Sequence, residues 1–343
     1  MNNEDSFFYQ ALVNHFAPSK GHPQYDVWLN YALETNTRGQ YTVSKLQEFF
    51  PSLKAKRHLD IGCGYGGTCI AVARAGAESI GIDINDQLLE FAGLNKKDYP
   101  GLQASFAHLD VMNWDEIHSL GQFDIITVDN VIEHVSVPER LIAHLWKLLK
   151  DDGLAYITIP NAFSTGQVRS DCHYGLFGIS LLDPWDAAMY VRHALAHPSY
   201  DVSFYYTYDR YQGLFEKYAF QVKLLNYTQP AEQDVQEIGR QGMLLEEELQ
   251  THQSAGKIPD ELSQKLTWAL AAYHQQLSTG VDHYQGVKAG EARARLGWQL
   301  LRDYRDEVWY VVLFKSSKRA SGSLTAALRR VWRGARRRVR SFL

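Results

Sequence analysis

The sequence predicts an α/β fold of the Rossmann-like kind, with a parallel sheet and a ligand crevice at its carboxyl edge. Residues 58–61 form a short, largely apolar run typical of a buried strand, and Asp60 lies near its end. A glycine-rich stretch follows at once, and residues 68–73 have the pattern of the first turns of a helix. Glycine allows a sharp turn and lets a ligand lie against the backbone. A strand, a glycine turn and a helix N-terminus together predict a nucleotide-binding crevice.

The glycine spacing alone does not say which nucleotide binds. Gly62, Gly64 and Gly67 also fit the G-x-G-x-x-G pattern of dinucleotide-binding folds, so an NAD-dependent oxidoreductase is one interpretation. Asp60 lies two residues before the first of these glycines and favours another ligand. A carboxylate at that point attracts a cation that carries an amino group, and it repels a pyrophosphate.

Residues 59–67, with the sequence LDIGCGYGG, resemble motif I of class I S-adenosylmethionine-dependent methyltransferases. The resemblance extends over residues 38–160. It implies that the cofactor is S-adenosylmethionine, which carries a sulfonium and an ammonium group. It also implies a seven-stranded sheet in which strands six and seven are antiparallel. By the same resemblance, the cofactor-binding residues of the motif are Asp60, Gly62, Cys63, Gly64 and Gly66.

Two more strands end in acidic residues in the order that this family shows. Residues 79–84 are predicted to form strand two, and the resemblance implies that Asp83 binds the ribose while Ile84 packs on the adenine. Residues 104–111 are predicted to form strand three. There the resemblance implies that Asp110 accepts a hydrogen bond from the adenine amine and that the backbone N–H of Val111 meets a ring nitrogen.

Strand four is predicted at residues 123–130 and ends at the same edge, where we count Asp129 among the cofactor contacts. The Glu-His-Val sequence at residues 133–135 resembles a signature of small-molecule and quinone-type O-methyltransferases. Strand five is predicted at residues 153–161. Arg38, ahead of strand one, either holds the cofactor carboxylate bidentately or is an ordinary surface arginine.

The remaining segments surround this core. The stretch after strand five is rich in aromatic residues, and a long loop there would cover the ligand crevice. Apolar residues at helical spacing between strands six and seven favour a packed helical cap over an oligomerisation or partner-binding module. The predicted segments are 1–50 as an N-terminal helical cap, 51–160 as the cofactor-binding core, 161–206 as a substrate-covering insertion, 207–227 as a core helix and strand six, 228–306 as a helical insertion, 307–316 as strand seven and 317–343 as a basic amphipathic tail.

Three residues are candidates for the chemistry. Methyl transfer from a sulfonium is an in-line displacement, so the protein must align the acceptor and, for a hydroxyl, remove its proton. His134 and Glu133 follow strand four, and His173 lies in the insertion. His134 either acts as the base or orders the local turn by hydrogen bonding. His173 either reaches the acceptor from the insertion or has a structural role.

The sequence predicts no metal. Several relatives with the Glu-His-Val signature bind a divalent metal with the help of a Glu three residues earlier, and Asn130 occupies that position here. Asn is a weaker ligand for a hard cation. The Asn/Asp-Pro-Pro-Tyr signature of amino-methylating nucleic-acid enzymes is also missing after strand four, which argues against adenine-N6 chemistry.

Composition predicts a cytoplasmic protein. Hydrophobic residues make up 45% of the 343 residues, which is enough for a sizeable core. The three cysteines lack the spacing of a disulfide framework or of a metal site. The N-terminus is acidic and polar, unlike a signal peptide, and no apolar run is long enough for a membrane span.

Charge is unevenly distributed along the chain. Glu307 is the last acidic residue and ten basic residues follow it, so with a net charge of −4 the first 307 residues carry −14. A basic amphipathic helix with an aromatic residue is typical of a membrane-surface element. A disordered or nucleic-acid-binding tail, or a helix folded back on the acidic body, are the alternatives. The tail's apolar residues at helical spacing are Leu324, Leu328, Val331, Trp332, Ala335, Val339 and Phe342.

These observations predict an S-adenosylmethionine-dependent O-methyltransferase. Aromatic residues mixed with His, Asp and Asn in the insertion suit stacking on sugar rings. We therefore expect the acceptor to be a glycan, a lipid-linked glycan or another polar small molecule, handled in the cytoplasm or at the inner membrane face. Nucleic acid is not expected as a partner, and the oligomeric state is left open. A non-catalytic cofactor-binding or partner-binding protein is the alternative.

Overall fold

The computed structural model describes residues 6–21, 25–195 and 199–315. This part of the chain contains a seven-stranded sheet with the order β3-β2-β1-β4-β5-β7-β6. Neighbouring strands from β3 to β5 are parallel, and β7 is antiparallel to both β5 and β6. The fold class predicted from the sequence is confirmed. The strands are β1 (Arg57–Ile61), β2 (Glu78–Asp83), β3 (Ala104–His108), β4 (Phe123–Asp129), β5 (Leu149–Pro160), β6 (Phe220–Leu224) and β7 (Val308–Lys315).

Helices pack on both sides of the sheet and form a cap between β6 and β7. The predicted basic tail, residues 317–343, lies outside the described residues. The α-helices are α1 (Phe7–Phe16), α2 (Tyr25–Leu33), α3 (Thr35–Gln47), α4 (Gly67–Arg74), α5 (Asp86–Lys97), α6 (Trp114–Ser119), α7 (Pro138–Leu148), α8 (Thr165–Arg169), α9 (Pro184–Leu195), α10 (Tyr208–Lys217), α11 (Glu232–Ser254), α12 (Asp260–Gly286) and α13 (Glu291–Leu300), followed by a π-helical turn (Leu301–Arg305).

Strand β5 begins at Leu149, four residues before the predicted start. The sequence there contains two acids and a glycine, which are typical of a loop. In the structure Leu149 pairs with Phe123, and the register then shifts before Leu154 pairs with Ile125. This irregularity accommodates the exposed acids within the strand, as a β-bulge does.

The apolar surface of the sheet is buried on both faces. Helices α6, α7 and α10 cover one face, and side chains of α3 and α4 pack on the other. The helical cap has a separate core that includes Leu262, Leu266 and Leu277 of α12. Phe177 and Tyr190 of the insertion pack into this second core, so the cap and the insertion support each other.

The N-terminal helices reach the cofactor side of the sheet through a close contact between α3 and α4. A Cβ atom on Gly39 would overlap the backbone carbonyl of Gly67, and a Cβ atom on Gly67 would overlap the backbone of Thr35. Both positions therefore require glycine because the two helix backbones touch. This contact places α3 beside the glycine turn that follows β1.

We expect Gly39→Ala to lower the free energy of unfolding by about 1–3 kcal/mol, because the added methyl group must push two backbones apart. Gly93→Ala is the matched control, since Gly93 lies in α5 and a Cβ atom there meets nothing within 4 Å. The control should be neutral or stabilising by about 0.5–1 kcal/mol through helix propensity. Thermal and urea unfolding would measure both variants. Equal free energies of unfolding for the two variants would contradict the close contact between the backbones of α3 and α4.

Candidate active site

A cavity of about 610 Å³ opens at the carboxyl ends of β1, β2 and β4. It lies where the strand order reverses, between β1 and β4, which is the usual ligand crevice of an open α/β sheet. We call it the cofactor crevice. The predicted cofactor residues that line it are Arg38, Asp60, Gly62, Cys63, Gly64, Asp83, Ile84, Asp110, Val111 and Asp129.

Gly66 is the predicted cofactor residue that does not line the crevice. Its φ of 75° is left-handed, and it caps the start of α4. A Cβ atom on Gly66 would press against Phe106 and Ala92, so this glycine shapes the turn from behind. The position of Gly66 in the motif does not show whether it contacts the ligand or only shapes the turn.

The turn after β1 is tied to the tip of β2. Gly62 and Gly64 have left-handed φ values of 69° and 50°. The N–H of Gly64 donates to Oδ2 of Asp83 at 2.9 Å, and the N–H of Asn85 donates to Oδ1 at 2.9 Å. Both carboxylate oxygens are thus fixed by backbone groups, and each keeps acceptor capacity for a ligand.

A buried chain of hydrogen bonds holds Asp60. The hydroxyl of Thr127 donates to Oδ1 of Asp60 at 2.5 Å, and Nε2 of His58 lies 2.8 Å from the same hydroxyl oxygen. The single hydroxyl proton of Thr127 is used in the hydrogen bond to Asp60, so the Nε2–H of His58 must donate to the Thr127 oxygen. The Nδ1 atom of His58 then accepts a hydrogen bond from the hydroxyl of Ser79 at 2.7 Å. Burial lowers the pKa of His58 to about 3 and raises the pKa of Asp60 to about 7. A cation in the crevice would favour the ionised form of Asp60.

The N-terminal cap supplies crevice residues that sequence reasoning missed. Tyr31 and Thr35 line the cavity, and the guanidinium of Arg38 lies 3.9 Å from the centre of the Tyr31 ring. Burial raises the pKa of Asp129, and this effect is opposed by a hydrogen bond from Thr158 and by the charge of Arg38. No motif marks Tyr31 or Thr35, because Thr35 reaches the site through the contact between α3 and α4 and Tyr31 lies on the preceding helix α2.

The three catalytic candidates lie together beside the crevice, and we call them the Glu-His-His cluster. Ligand atoms of Glu133, His134 and His173 lie within 4.8 Å of one another. His134 lines the cavity, whereas Glu133 is fully buried. Nε2 of each histidine lies 3.7 Å from Oε1 of Glu133, which is within ion-pair range but too long for a hydrogen bond.

The other ring nitrogens of the two histidines have partners. Nδ1 of His134 lies 3.0 Å from the backbone carbonyl of Asp201, so it carries a proton and donates it. Nδ1 of His173 lies 2.9 Å from the hydroxyl of Tyr205 and 3.3 Å from Sγ of Cys172. Burial lowers the pKa of His173, but Cys172 and Glu133 outweigh it and raise that pKa to about 10. The surroundings therefore favour positive charge at this point.

Comparisons with known proteins identify related methyltransferases. A family model described as a methyltransferase domain matches residues 34–225, more than half of the chain. The ubiquinone biosynthesis O-methyltransferases of Psychrobacter cryohalolentis and Bordetella avium are 31% and 32% identical to it over 135 and 118 residues. These alignments cover 39% and 34% of this chain, and 52% and 47% of the relatives. The chain thus spans about half the length of the curated relatives it matches.

Two solved structures resemble the fold. Phosphoethanolamine N-methyltransferase 2 of Haemonchus contortus, in complex with S-adenosyl-L-methionine, has a TM-score of 0.43 at 14% identity and covers 88% of this chain and 60% of its own. Magnesium protoporphyrin IX methyltransferase of Synechocystis has a TM-score of 0.39 at 15% identity, with coverages of 60% and 82%. The family match confirms the resemblance to S-adenosylmethionine-dependent methyltransferases, and with it S-adenosylmethionine as the cofactor.

We expect Asp83→Ala to weaken binding of S-adenosylmethionine roughly tenfold or more, because two charge-assisted ribose hydrogen bonds at ~1.5–3 kcal/mol each are lost before compensation by water. Asp86→Ala is the charge-matched control, since Asp86 is exposed and binds His108 outside the crevice. Calorimetry on folded proteins would measure both affinities. An unchanged affinity in folded Asp83→Ala would show that Asp83 does not bind the ribose of the cofactor.

Proposed function

The chain belongs to the methyltransferase-domain family, and we propose that it transfers the methyl group of S-adenosylmethionine to a hydroxyl oxygen of a polar acceptor. The observation that carries this proposal is the Glu-His-His cluster, because its member His134 lines the same cavity as the motif I residues. A hydroxyl must lose its proton during methylation, and imidazole and carboxylate groups suit that task. The O-methyltransferases among the relatives support the same choice.

Bound in the crevice, S-adenosylmethionine would supply an electrophilic methyl group, and the electron pair of the broken sulfur–carbon bond would return to sulfur. The acceptor oxygen would form the new bond to the methyl carbon, and the Glu-His-His cluster would take up the hydroxyl proton. Because the sulfonium is already a good leaving group, the protein contributes alignment and proton handling. We assign the alignment of the cofactor to the residues that line the crevice, and the activation of the acceptor hydroxyl to Glu133, His134 and His173.

We expect His134→Ala to lower kcat by about 10²–10⁴-fold, the usual range for loss of a positioned group that handles a proton. The affinity for S-adenosylmethionine should stay nearly unchanged, because the residues of motif I are untouched. The matched control is His193→Ala, since His193 lies exposed on α9. Transfer of labelled methyl groups to a panel of hydroxyl acceptors measures kcat. An unchanged kcat would place acceptor activation elsewhere, and no transfer to any acceptor would favour a non-catalytic role.

A glycan, a lipid-linked glycan or another polar small molecule is the acceptor class that we propose. A second cavity of about 380 Å³ lies between the insertion and the helical cap, lined by Tyr200, Tyr205 and Tyr273 together with polar Asp183 and Gln276. Aromatic faces beside hydrogen-bonding groups suit sugar rings. Tyr205 also contacts His173, so one side chain joins this cavity to the Glu-His-His cluster.

We also propose that the basic tail holds the protein at an anionic membrane surface. Within residues 6–21, 25–195 and 199–315, none of the helices is both long and apolar enough to cross a bilayer. Support for the proposal comes from the sequence, which combines ten basic residues after Glu307 with an apolar stripe at helical spacing. Phosphate binding alone would not require that stripe.

Deletion of residues 320–343 should abolish binding to anionic liposomes and leave methyl transfer in solution intact. The attraction should fall with salt, since each basic residue near an anionic surface contributes roughly 1 kcal/mol within a Debye length. Trp332→Ser should weaken binding without a change in net charge. Liposome co-sedimentation measures these effects. A full-length protein that ignores anionic liposomes at low salt but binds RNA or DNA tightly would overturn the membrane proposal.

A further inference from the structure

The carboxylate of Glu133 has no hydrogen-bond partner among the described residues, although its side chain is fully buried. Oε1 and Oε2 both lack a hydrogen-bond partner there. A buried carboxylate without compensation costs several kcal/mol, so native structures pair such a group with a cation or a proton. The nearest polar atoms are Nε2 of His134 and Nε2 of His173, and neither is close enough to hydrogen-bond.

The spacing of these atoms fits a shared ion better than direct contacts. Two ligands that each lie about 2.0–2.2 Å from one ion, at tetrahedral to trigonal angles, are separated by roughly 3.3–3.8 Å. Each histidine nitrogen lies 3.7 Å from Oε1 of Glu133. All three ligand atoms lie within 4.8 Å of one another, so a shortening of the longest separation by about 1 Å would bring them onto a common ion.

The surrounding residues orient the histidines for this role. The Nδ1–H of His134 donates to the backbone carbonyl of Asp201, which leaves a lone pair on Nε2, 3.7 Å from Oε1 of Glu133. The carboxylate of Asp171 accepts the backbone N–H groups of His173 and Tyr174 at 2.9 and 3.0 Å, and that of Leu176 at 3.0 Å. The loop that presents His173 is therefore ordered by its own hydrogen bonds, as the outer partners of metal ligands commonly are.

Asn130 does not provide the ligand that a Glu supplies in some relatives. Its backbone N–H donates to the hydroxyl oxygen of Thr158 at 3.1 Å, and its Oδ1 lies 3.3 Å from that oxygen, whose single proton goes to Oδ1 of Asp129. The backbone of Asn130 is thus held against β5. The insertion instead brings a third donor, His173, which local sequence could not place beside Glu133.

We propose that Glu133, His134 and His173 bind one divalent transition-metal ion, with His173 supplying from the insertion the ligand that Asn130 does not provide. Two imidazoles and one carboxylate favour zinc over magnesium or calcium, and manganese serves as a spectroscopic probe of the same site. This deepens the proposed function, because an ion here would lower the pKa of a neighbouring acceptor hydroxyl.

The test measures binding of the ion directly, apart from methyl transfer. Full-length protein freed of metal by a chelator is titrated with zinc chloride by calorimetry, and with manganese chloride by electron paramagnetic resonance. We expect one site per chain, a loss of affinity of roughly a hundredfold in His173→Ala and a similar loss in Glu133→Gln. His193→Ala, from the same insertion, should bind the ion like the wild type. Unchanged binding of S-adenosylmethionine verifies that each variant is folded.

Absence of zinc and manganese binding in the wild type would overturn the proposal, and so would wild-type affinity in His173→Ala. In the first case Glu133 pairs with a protonated histidine instead. A wild type that transfers methyl groups without binding either ion would leave the proposed function standing and remove this inference. An ion bound through His173 in a protein that methylates none of the acceptors would uphold the inference and remove the proposed function.

Discussion

The parallel pairing of β1 with both β2 and β4 is the constraint on which the site depends. Asp60 is in register with Gly81 of β2 and with Thr127 of β4. Parallel strands end at the same edge of a sheet. The strand pairing alone therefore places Asp83 and Asp129 beside Asp60. The chain then leaves β1 and β4 in opposite directions, which opens the crevice between them. The acidic residues of all three strands therefore share one edge.

This arrangement concentrates negative charge. Burial raises the pKa values of Asp60 and Asp129, and the neighbouring carboxylates add to the effect. Arg38 offsets part of this charge at Asp129. A sulfonium and an ammonium would relieve the remainder, so the crevice favours a cationic cofactor for the same reason that it disfavours a pyrophosphate. The buried Glu133 adds a further carboxylate beside the crevice, where it lies near two imidazoles.

Local sequence was enough to predict most of the sheet. An apolar run that ends in an acid, followed by glycine or by a helix, specifies a strand and its carboxyl end together, and this held for β1, β2 and β4. The prediction failed at the start of β5, where pairing with β4 keeps polar residues in the strand. The motif residues that line the crevice could be placed there from the sequence, because they lie at the carboxyl ends of the predicted strands. Gly66 shows the limit, since its motif position does not reveal that it faces Phe106.

The placement of residues that reach the site from distant segments could not be predicted, although Arg38 and His173 were named as candidates. Thr35 depends on the backbone contact between α3 and α4, and Tyr31 lies on the preceding helix α2. The position of His173 depends on how the insertion folds over Glu133. Such contacts arise from packing between separate helices and loops, for which one sequence carries no local signal. The Glu-His-His cluster is therefore a result of tertiary structure, although each of its members could be named beforehand.

The central claim is that the acids of the crevice select a cationic cofactor. The most direct measurement is equilibrium binding of S-adenosylmethionine and of NAD to the full-length protein, by calorimetry under the same conditions. The account predicts saturable binding of S-adenosylmethionine at one site, with NAD weaker by roughly a hundredfold or more, which corresponds to about 2.7 kcal/mol. NAD binding that equals or exceeds that of S-adenosylmethionine would contradict it.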